Sequence, residues 1–330
     1  MSLITLNKNN FFYNLDLILS KTGEVEKIAL VLKDNAYGHG IREIAKMAKE
    51  YGIKKAVVRS DAEAEKIEEF FEYILVLADI PKVPSKKIRY TINDMSRVGE
   101  YPKGTLVELK VNTSMNRNGI NPDELNATLE IIKTKGLKLE AIFTHHSCAD
   151  ELNANYERQI ENFEAIKKSV PSNLRVHSCN SAALFRAKNF DEDMVRVGIA
   201  AYGCLELPTS LSDVVFKPVL SLYADKISQR ELDQGDSVGY GASFVAQEKC
   251  VVSNYDFGYG DGFLRACSNT YQTPNAIKIA GRISMDNSSF ISDENRLLIF
   301  KDARVISKYA NTISYEVLTS LKENIKRQIL

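Results

Sequence analysis

The chain has 330 residues, and its 43 lysine and arginine residues balance 43 aspartate and glutamate residues, so the formal net charge is zero. This balance argues against a nucleic-acid-binding protein, because binding to a phosphate backbone needs an excess of positive charge. The length is sufficient for one large domain and a smaller one, each with its own hydrophobic core.

The cysteines and the N-terminal segment indicate the cellular compartment. Five cysteines are scattered along the chain without C-x-x-C spacing, which favours free thiols in a reducing environment over disulfides or a zinc site. No N-terminal apolar run resembles a signal peptide, and no segment is apolar over enough residues to cross a membrane. We therefore expect a cytoplasmic protein without a membrane partner or a metal.

The first two thirds of the chain alternate short apolar runs with amphipathic stretches. Apolar residues recur three and four apart, as in a helix, over 41–51, 122–136 and 155–169. Eight apolar runs predict strands over 27–32, 55–60, 73–78, 88–92, 106–111, 139–144, 174–179 and 193–198. Eight strands alternating with helices predict an α/β protein with an N-terminal (β/α)8 TIM barrel, and an open doubly wound sheet is the alternative.

Helical spacing nearly disappears after Pro218. Short runs rich in β-branched and aromatic residues follow, and glycines interrupt them. We predict a barrel domain over 1–218 and a mainly β C-terminal domain over 219–330. The last stretch, 313–330, has the spacing of a helix.

Lys33 directly follows the apolar run of the first predicted barrel strand. The active site of this fold lies at the C-terminal ends of the strands, so residues at other strand ends are expected to be neighbours of Lys33. These residues are Lys110, His145, Asn180, Ser181, Arg196, Gly198 and Ile199.

Two of these strand ends have the features of a phosphate site. Ser181 is expected at the start of a helix, where free backbone N–H groups favour an anion, and Gly198 allows the backbone to approach a ligand closely. A lysine facing a phosphate site indicates pyridoxal phosphate, which Lys33 would hold as a Schiff base. Taken singly, such residues are more often exposed charges, ordinary helix caps or core groups, and only their combination at one end of the barrel favours a site.

Motifs throughout the chain resemble those of the alanine racemase family. They occur in family order and include "LKDNAYGHG" (32–40), "KVNTSMNRNG" (110–119), "THHSCADE" (144–151), "HSCNSAA" (177–183), "DMVRVGIAAYG" (193–203), "VGYGASF" (238–244), "GYGDGFLR" (258–265) and "GRISMDN" (281–287). The family has an N-terminal barrel and a C-terminal β domain, in agreement with the predicted fold.

The resemblance implies a pyridoxal phosphate enzyme in which Lys33 binds the cofactor covalently and also acts as one of two catalytic bases. Tyr240 would be the second base. Arg196 would face the pyridine nitrogen, and because arginine does not give up its proton, this contact limits transamination as a side reaction. The other residues implied to contact or line the cofactor are Tyr37, His145, Asn180, Ser181, Gly198 and Ile199.

The resemblance also implies the substrate contacts and the partner. Arg117 and Met285 would bind the substrate carboxylate, and Tyr259 would line the entrance. In the family the equivalents of Tyr240, Tyr259 and Met285 reach into the other subunit's site, which implies a homodimer with shared active sites. The expected activity is interconversion of L-alanine and D-alanine, supplying D-alanine for peptidoglycan, and the alternative is a broad-spectrum pyridoxal phosphate-dependent amino-acid racemase.

Asn112 and Glu323 depart from the family pattern, whereas Lys110 matches it. Lys110 corresponds to a lysine that is often carbamylated, and Asn112 stands where the family usually has aspartate. In an ungapped match, Glu323 replaces a tyrosine that contacts the phosphate, so we expect this contact to be lost. The candidates to compensate for it are Lys322, Lys326 and Arg327.

Two further functions are compatible with a lysine in such a barrel. A pyridoxal phosphate carrier shares the barrel and the lysine but lacks a β domain and the second tyrosine. A decarboxylase on the same two-domain fold uses a glutamate at the pyridine nitrogen, where this chain has Arg196. Both differences favour a racemase.

Overall fold

The computed structural model describes residues 2–330, in which β-strands are numbered in chain order. The first strand, β1 (Leu3–Leu6), lies outside the barrel. The barrel strands are β2 (Ile28–Val31), β3 (Lys55–Val58), β4 (Tyr73–Val76), β5 (Ile88–Ile92), β6 (Leu106–Lys110), β7 (Lys138–Phe143), β8 (Arg175–His177) and β9 (Val195–Val197). Each of the eight strands predicted from the sequence is present, including the weakly patterned run at 88–92.

The eight strands are parallel and close into a barrel. They follow the order β8-β7-β6-β5-β4-β3-β2-β9, in which Ala29 of β2 pairs with Arg196 of β9. Just beyond β8, the N–H of Arg196 donates to the carbonyl of Cys179 at 3.0 Å and Asn180 forms a parallel bridge with Arg196. This contact joins the two ends of the sheet, so the barrel is confirmed and the open doubly wound alternative is wrong.

Strands β2, β3 and β4 are almost completely buried on both faces, which explains their continuous apolar sequence. The spacing predictions at 41–51, 122–136 and 155–169 are confirmed within a few residues. The α-helices are Lys8–Thr22, Ile41–Tyr51, Asp61–Glu65, Leu125–Thr134, Asn155–Lys167, Ser181–Arg186, Ala303–Ala310 and Ser314–Thr319. A further segment, Lys33–Tyr37, forms one left-handed helical turn.

A second sheet forms the mainly β C-terminal part. Its strands are β10 (Leu220–Leu232), β13 (Cys250–Tyr255), β14 (Ser288–Ile291), β15 (Arg296–Phe300) and β16 (Lys326–Ile329), and β11 (Ser237–Val238) pairs with β12 (Phe244–Val245) in a separate hairpin. The first strand, β1, joins this sheet between β10 and β16. The residues predicted to begin the barrel domain therefore contribute to the other sheet.

The helix predicted over 313–330 is wrong beyond its first part. The helix ends at Thr319, and Lys326–Ile329 forms β16, which runs parallel to β1 with Leu3 paired to Lys326. The alternation of half-buried and exposed residues in β16 fits an edge strand. No helix within residues 2–330 combines the length and the apolar character needed to cross a bilayer.

Candidate active site

The chain turns sharply after β2 in an unusual left-handed conformation. Four consecutive residues without a glycine among them, Asp34 to Tyr37, have φ angles between +50° and +55°. Such a conformation costs about 1–2 kcal/mol per residue in an isolated chain, so surrounding contacts must hold it. The N–H of Asp34 donates to Oε1 of Glu63 at 2.6 Å, and Oδ1 of Asn35 accepts from the N–H of Ile41 at 2.8 Å.

His39 holds the end of this turn, a role that the sequence did not reveal. Its Nδ1 donates to the carbonyl of Tyr37 at 2.9 Å, and its ring stacks on Tyr202 with 4.5 Å between ring centroids. Tyr202 in turn donates its hydroxyl to the carbonyl of Val31 on β2. The imidazole is fully buried, and burial lowers its pKa to about 4, so it is neutral at physiological pH.

A cavity of about 410 Å³ lies at the C-terminal ends of the barrel strands, beside the left-handed turn. It brings together ten of the site residues predicted from the sequence, which are Lys33, Tyr37, Lys110, Arg117, His145, Asn180, Ser181, Arg196, Gly198 and Ile199. Asp34, Asp150, Tyr315 and Thr319 also line it. These four were not predicted, because they come from turns and from a helix near the C-terminus that strand counting does not connect with the barrel.

Lys33 lies in this cavity with its amine within reach of two neighbours. Its Nζ is 3.6 Å from Oδ2 of Asp34 and 6.0 Å from the centroid of the Tyr37 ring. About a third of its side chain is exposed. The strand-end lysine is therefore neither buried nor fully solvated, and its amine is accessible from the cavity.

Tyr37 and Gly198 form the end of the cavity where the phosphate was predicted. Tyr37 is 8% exposed, and its hydroxyl has no hydrogen-bond partner within residues 2–330. A Cβ atom on Gly198 would lie 3.0 Å from the Tyr37 hydroxyl. Oγ of Ser181 accepts from the N–H of Gly198 at 3.1 Å, which ties this loop to the next one.

The helix that begins at Ser181 is shorter than the sequence suggested. It covers only six residues, Ser181–Arg186, and Oδ1 of Asn180 caps it by accepting from the N–H of Ala183 at 2.9 Å. A helix of this length has a small dipole, so the electrostatic attraction expected from its N-terminus is weak. The polar groups that this end of the cavity offers are therefore mainly the hydroxyls of Tyr37 and Ser181.

Arg196 has four of its five guanidinium N–H groups engaged by the barrel. Nη2 donates to the carbonyls of Thr144 at 2.7 Å and Ser178 at 3.0 Å, and Nη1 donates to Nδ1 of His177 at 2.5 Å and to its carbonyl at 3.4 Å. The Nε–H has no protein partner within residues 2–330, and the side chain lines the cavity. Arginine has five donors, so one remains for a ligand that accepts a hydrogen bond.

His145 is expected to be neutral. Burial, reinforced by the positive charges of Arg196 and Lys110, holds its pKa well below the usual range. A neutral imidazole is compatible with the predicted position beside a cofactor ring.

Lys110 and Arg117 form a cationic pair at one side of the cavity. Lys110 is 9% exposed, and burial together with Arg117 and Arg196 lowers its pKa to about 8. Arg117 is exposed and has no hydrogen bond or ion pair within the described residues. Asn112 makes no hydrogen bond to Arg117, and its Oδ1 accepts from the N–H groups of Ser114 and Asn116 within the same loop.

Three predicted residues lie on the second domain, outside the cavity. Tyr240, Tyr259 and Met285 are 68%, 42% and 55% exposed. The loops that carry Tyr259 and Met285 are joined, because the N–H of Gly260 donates to the carbonyl of Met285 at 2.7 Å. None of the three lines the cavity that contains Lys33, whereas Tyr259 lines a neighbouring cavity together with Asp34 and Asn35.

The C-terminal segment places Glu323 away from the cavity. Its carboxylate pairs with Lys66 at 3.3 Å, and both side chains are largely exposed. Tyr315 lines the cavity instead, with its ring centroid 5.7 Å from that of Tyr37. None of the three residues considered as replacements lines the cavity. The Nη–H groups of one of them, Arg327, donate to the backbone carbonyls of Gly38, Lys322, Glu323 and Ile325.

Comparison with known proteins gives consistent matches along the chain. Residues 6–206 match the family model described as the N-terminal domain of alanine racemase, and residues 219–329 match that of its C-terminal domain. An alanine racemase of Campylobacter concisus (strain 13826) is 42% identical over 340 residues, which cover 100% of both chains.

Solved structures agree with the fold. The crystal structure of alanine racemase from E. faecalis has a TM-score of 0.90 at 25% identity, over 100% of this chain and 98% of that one. A structure of alanine racemase from Bartonella henselae with covalently bound pyridoxal phosphate has a TM-score of 0.87 at 23% identity, over 100% and 99% of the two chains.

Proposed function

The chain belongs to the alanine racemase family and is an isomerase that interconverts L-alanine and D-alanine, and from this premise we propose which of its residues carry out the reaction. The observation that carries the proposal is the convergence of Lys33, Arg196 and Tyr37 on one cavity. Each of the three presents a polar group there that lacks a hydrogen-bond partner in the protein or is accessible from the cavity.

Pyridoxal phosphate fits these groups. The Nε–H of Arg196 suits an acceptor such as the pyridine nitrogen, and the hydroxyl of Tyr37 suits a phosphate oxygen. We propose that Lys33 binds the cofactor covalently. Tyr37, Ser181, Gly198 and Ile199 would then contact the phosphate, while His145 and Asn180 would lie beside the ring. Once bound, the cofactor supplies an electron sink that makes the Cα proton of alanine acidic enough to be removed.

Arg196 would influence which reaction follows proton removal. A guanidinium does not give up its proton, so the pyridine nitrogen that it faces would stay unprotonated. An unprotonated pyridine ring withdraws electrons less strongly than a protonated one, which disfavours transamination. The carbonyl and imidazole contacts of Arg196 fix its position against the barrel.

Racemisation removes a proton from one face of Cα and returns one to the other, and two bases on opposite faces are the economical arrangement for this. We propose that the amine of Lys33 acts on one face and the phenolic oxygen of Tyr240 acts on the other. Arg117, with the backbone N–H of Met285, would bind the substrate carboxylate and hold Cα between the two bases. Tyr259 would line the entrance.

We propose that the second base comes from the other subunit of a homodimer. Tyr240, Tyr259 and Met285 are exposed in the single chain and lie outside its cavity, so the site that the chain builds alone is incomplete. We propose that these residues enter the cavity of a second subunit. Each active site would then combine one barrel with the partner's second domain.

The amine of Lys110 is suited to a covalent modification. A lysine with a pKa of about 8 is partly neutral at physiological pH, and a neutral amine reacts with carbon dioxide to form a carbamate. We propose that Lys110 is carbamylated. The carbamate would replace a positive charge beside Arg117 with a negative one, which gives that unpaired guanidinium a counter-ion.

Tyr315 is our candidate to contact the phosphate in place of the tyrosine that Glu323 replaces. It lines the cavity beside Tyr37 and is 39% exposed, and its hydroxyl donates to no acceptor within residues 2–330. Glu323 is held at the surface by Lys66, so its negative charge does not face the phosphate end.

The activity is tested by incubating the purified protein and pyridoxal phosphate with each L-amino acid and detecting the D-enantiomer by chiral chromatography. Fast conversion of alanine alone supports the specific racemase. Comparable rates with serine or lysine favour the alternative, a broad-spectrum racemase. We also propose that the enzyme works in the cytoplasm and supplies D-alanine for peptidoglycan, which predicts that a deletion strain needs D-alanine for growth.

A further inference from the structure

A continuous chain of polar side chains runs through the barrel interior, from the active-site cavity toward the opposite end. It begins at Arg196 on β9, passes through His177 on β8 and reaches Glu108 on β6. His177 and Glu108 are fully buried, and Arg196 is 6% exposed. Buried charges of this kind are rare unless they are paired, so the chain needs a physical explanation.

The hydrogen bonds determine where the protons are. Arginine only donates, so Nδ1 of His177 must accept from Nη1 of Arg196 and carries no proton. The proton of a neutral imidazole then lies on Nε2, which donates to Oε2 of Glu108 at 2.9 Å. Only this tautomer satisfies both contacts. Phe143 stacks on the imidazole at 4.7 Å between ring centroids and fixes its plane.

Glu108 is the acceptor at the end of this chain, and three donors converge on it. The hydroxyl of Tyr73 and Nη2 of Arg175 both donate to Oε1, the latter at 3.0 Å, while His177 donates to Oε2. Burial alone would raise the pKa of Glu108, but His177, Arg175 and Tyr73 outweigh it and lower the pKa to about 2. Burial lowers the pKa of His177 despite the nearby carboxylate, so the imidazole is neutral.

We propose that Glu108 is a positioning residue for Arg196. By accepting the Nε2–H of His177, it fixes the imidazole tautomer that receives Nη1 of Arg196. The guanidinium is then held with its Nε–H as the one donor left for a ligand in the cavity. For the reaction itself this inference rests on the proposed contact between Arg196 and the pyridine nitrogen.

The arrangement explains why a carboxylate is needed rather than an amide. A glutamine at 108 would have to turn its oxygen toward Tyr73 and Arg175, since Arg175 cannot accept. Its NH2 group would then face Nε2 of His177 and force the proton to Nδ1. The Nδ1–H of His177 would then point at the Nη1–H of Arg196. Because two donors cannot form a hydrogen bond with each other, Arg196 would be displaced.

Glu192 is the other buried carboxylate near Arg196, but it has a different task. Its Oε2 accepts from the backbone N–H groups of Ser178 and Cys179 at 2.6 and 3.0 Å, and its Oε1 accepts from the Ser178 hydroxyl. It contributes favourable charge to Arg196 without contacting either His177 or the guanidinium. Removal of Glu108 therefore changes the tautomer while the charge of Glu192 remains.

The first experiment needs no cofactor. The protein is labelled with 15N-histidine, freed of cofactor, and examined by 15N NMR, which distinguishes the Nε2–H from the Nδ1–H tautomer. We expect His177, assigned by the loss of its signals in His177→Asn, to be the Nε2–H tautomer in the wild type. In Glu108→Gln the Nδ1–H form should replace it. An Nδ1–H form in the wild type overturns the proposal, and this result does not depend on whether Glu108→Gln folds.

The second experiment uses the enzyme loaded with pyridoxal phosphate. Displacement of Arg196 would leave the pyridine nitrogen free to be protonated, and transamination of alanine would then convert the cofactor to pyridoxamine phosphate with release of pyruvate. We expect Glu108→Gln to form pyridoxamine phosphate about tenfold more often per racemisation turnover. The unfavourable contact between the buried N–H groups of His177 and Arg196 is large enough to cause such a change. An unchanged ratio in a folded variant overturns the proposal.

Glu140→Gln is the matched control. Glu140 accepts from Arg175 at 3.0 Å and from Arg89 at 2.9 Å, so this variant removes one negative charge from the same ionic cluster without contacting His177. It should keep the wild-type tautomer and the wild-type product ratio. If Glu140→Gln and Glu108→Gln shift the ratio equally, a general loss of charge explains the effect and the proposal fails. If the wild type binds no pyridoxal phosphate, the proposed function fails, while the tautomer measurement still decides the role of Glu108.

Discussion

Gly198 lies against the ring of Tyr37, so close that a Cβ atom at position 198 would be 3.0 to 3.1 Å from the hydroxyl oxygen and two ring carbons of the tyrosine. Tyr37 is held from the other side by the left-handed turn and by the ring of Tyr202 at 5.2 Å between ring centroids. The tyrosine therefore has little room to retreat. The contact explains why the loop after β9 begins with a glycine although its φ angle is ordinary.

We predict that Gly198→Ala weakens cofactor binding. Insertion of a methyl group into a packed contact typically costs about 1–3 kcal/mol, and here the displaced group is the tyrosine proposed to contact the phosphate. The dissociation constant of pyridoxal phosphate should rise by roughly tenfold or more, measured by titration of the cofactor-free protein. Gly99→Ala is the control. A Cβ atom at position 99 would have only flexible lysine side-chain atoms near it, at 3.7 Å, so this variant should bind pyridoxal phosphate with unchanged affinity.

Two inactive variants should restore activity when they are mixed. Lys33→Ala removes the covalent attachment and one base, and it should lose both turnover and the visible absorption of bound cofactor. Tyr240→Phe should keep the cofactor but lose proton transfer on one face of Cα. In a mixed dimer, the barrel with Lys33 would meet the second domain that has Tyr240, so one of the two sites is complete.

The measurement is racemase activity after the two variants are unfolded and refolded together, compared with each refolded alone. Random pairing makes half of the dimers mixed, so about a quarter of all sites should regain activity. An absence of recovery, with dimers demonstrated by light scattering, would show that each site is built within one subunit. Recovery through simple subunit exchange would strengthen the same conclusion.

Lys110 predicts a dependence on bicarbonate. If its amine is carbamylated, protein incubated with 13C-labelled bicarbonate should show a carbamate signal in 13C NMR that is absent from Lys110→Gln. Because the carbamate is the proposed counter-ion of Arg117, this variant should raise the KM for alanine more than it lowers kcat. A labelled signal that persists in Lys110→Gln would assign the modification to another lysine.

Much of the barrel follows from the sequence, for a physical reason. Parallel strands buried on both faces appear as continuous apolar runs, and the barrel topology then brings their C-terminal ends together. That reasoning connects Lys33 with Arg196 although 162 residues lie between them in the sequence. The residues at these ends could therefore be predicted as one site before any side-chain contact was known.

Other features depend on contacts that no local pattern records. The left-handed turn after Lys33 contains Asp34, Asn35 and Ala36, none of which announces a positive φ as glycine would. The strand near the C-terminus pairs with residues 3–6 at the opposite end of the chain, so its helical spacing was misleading. Tyr315 reaches the cavity from a helix of the second domain, and only the folded chain reveals its neighbour Tyr37.

Tyr315→Phe should weaken pyridoxal phosphate binding by roughly tenfold or more, because it deletes the hydroxyl proposed to contact the phosphate while keeping the ring against Tyr37. Loss of one hydrogen bond to a charged acceptor is worth about 1.5–3 kcal/mol. Glu323→Gln is the comparison, and it should leave the affinity unchanged because its carboxylate pairs with Lys66 at the surface. The opposite ranking of the two variants would mean that the C-terminal segment, rather than Tyr315, contacts the phosphate.

The histidines predict a loss of stability in mild acid. All four have pKa values below the ordinary one, and burial is the largest cause in each. For His39 the folded pKa is about 4, whereas an unfolded histidine has a pKa of about 6.5. Between these values the unfolded chain binds a proton that the folded chain does not, so the free energy of unfolding falls as the pH falls from 6.5 to 4. At about 1.4 kcal/mol per pH unit, His39 contributes roughly 3 kcal/mol to this loss.

The contribution of His39 can be isolated with His39→Gln, whose side chain does not titrate. At pH 7 the variant should be less stable than the wild type, because it loses the stacking on Tyr202. This difference should shrink as the pH is lowered to 4.5, since only the wild type must protonate a buried imidazole at position 39.

Urea unfolding midpoints at pH 7, 5.5 and 4.5 measure the effect, and the contributions of the other three histidines cancel in the comparison. Glu108, whose folded pKa is about 2, begins to lose stabilising energy as the pH approaches an ordinary glutamate pKa of about 4.3, and this loss is common to both proteins, so it also cancels. A difference that stays constant with pH would mean that His39 titrates normally in the folded protein.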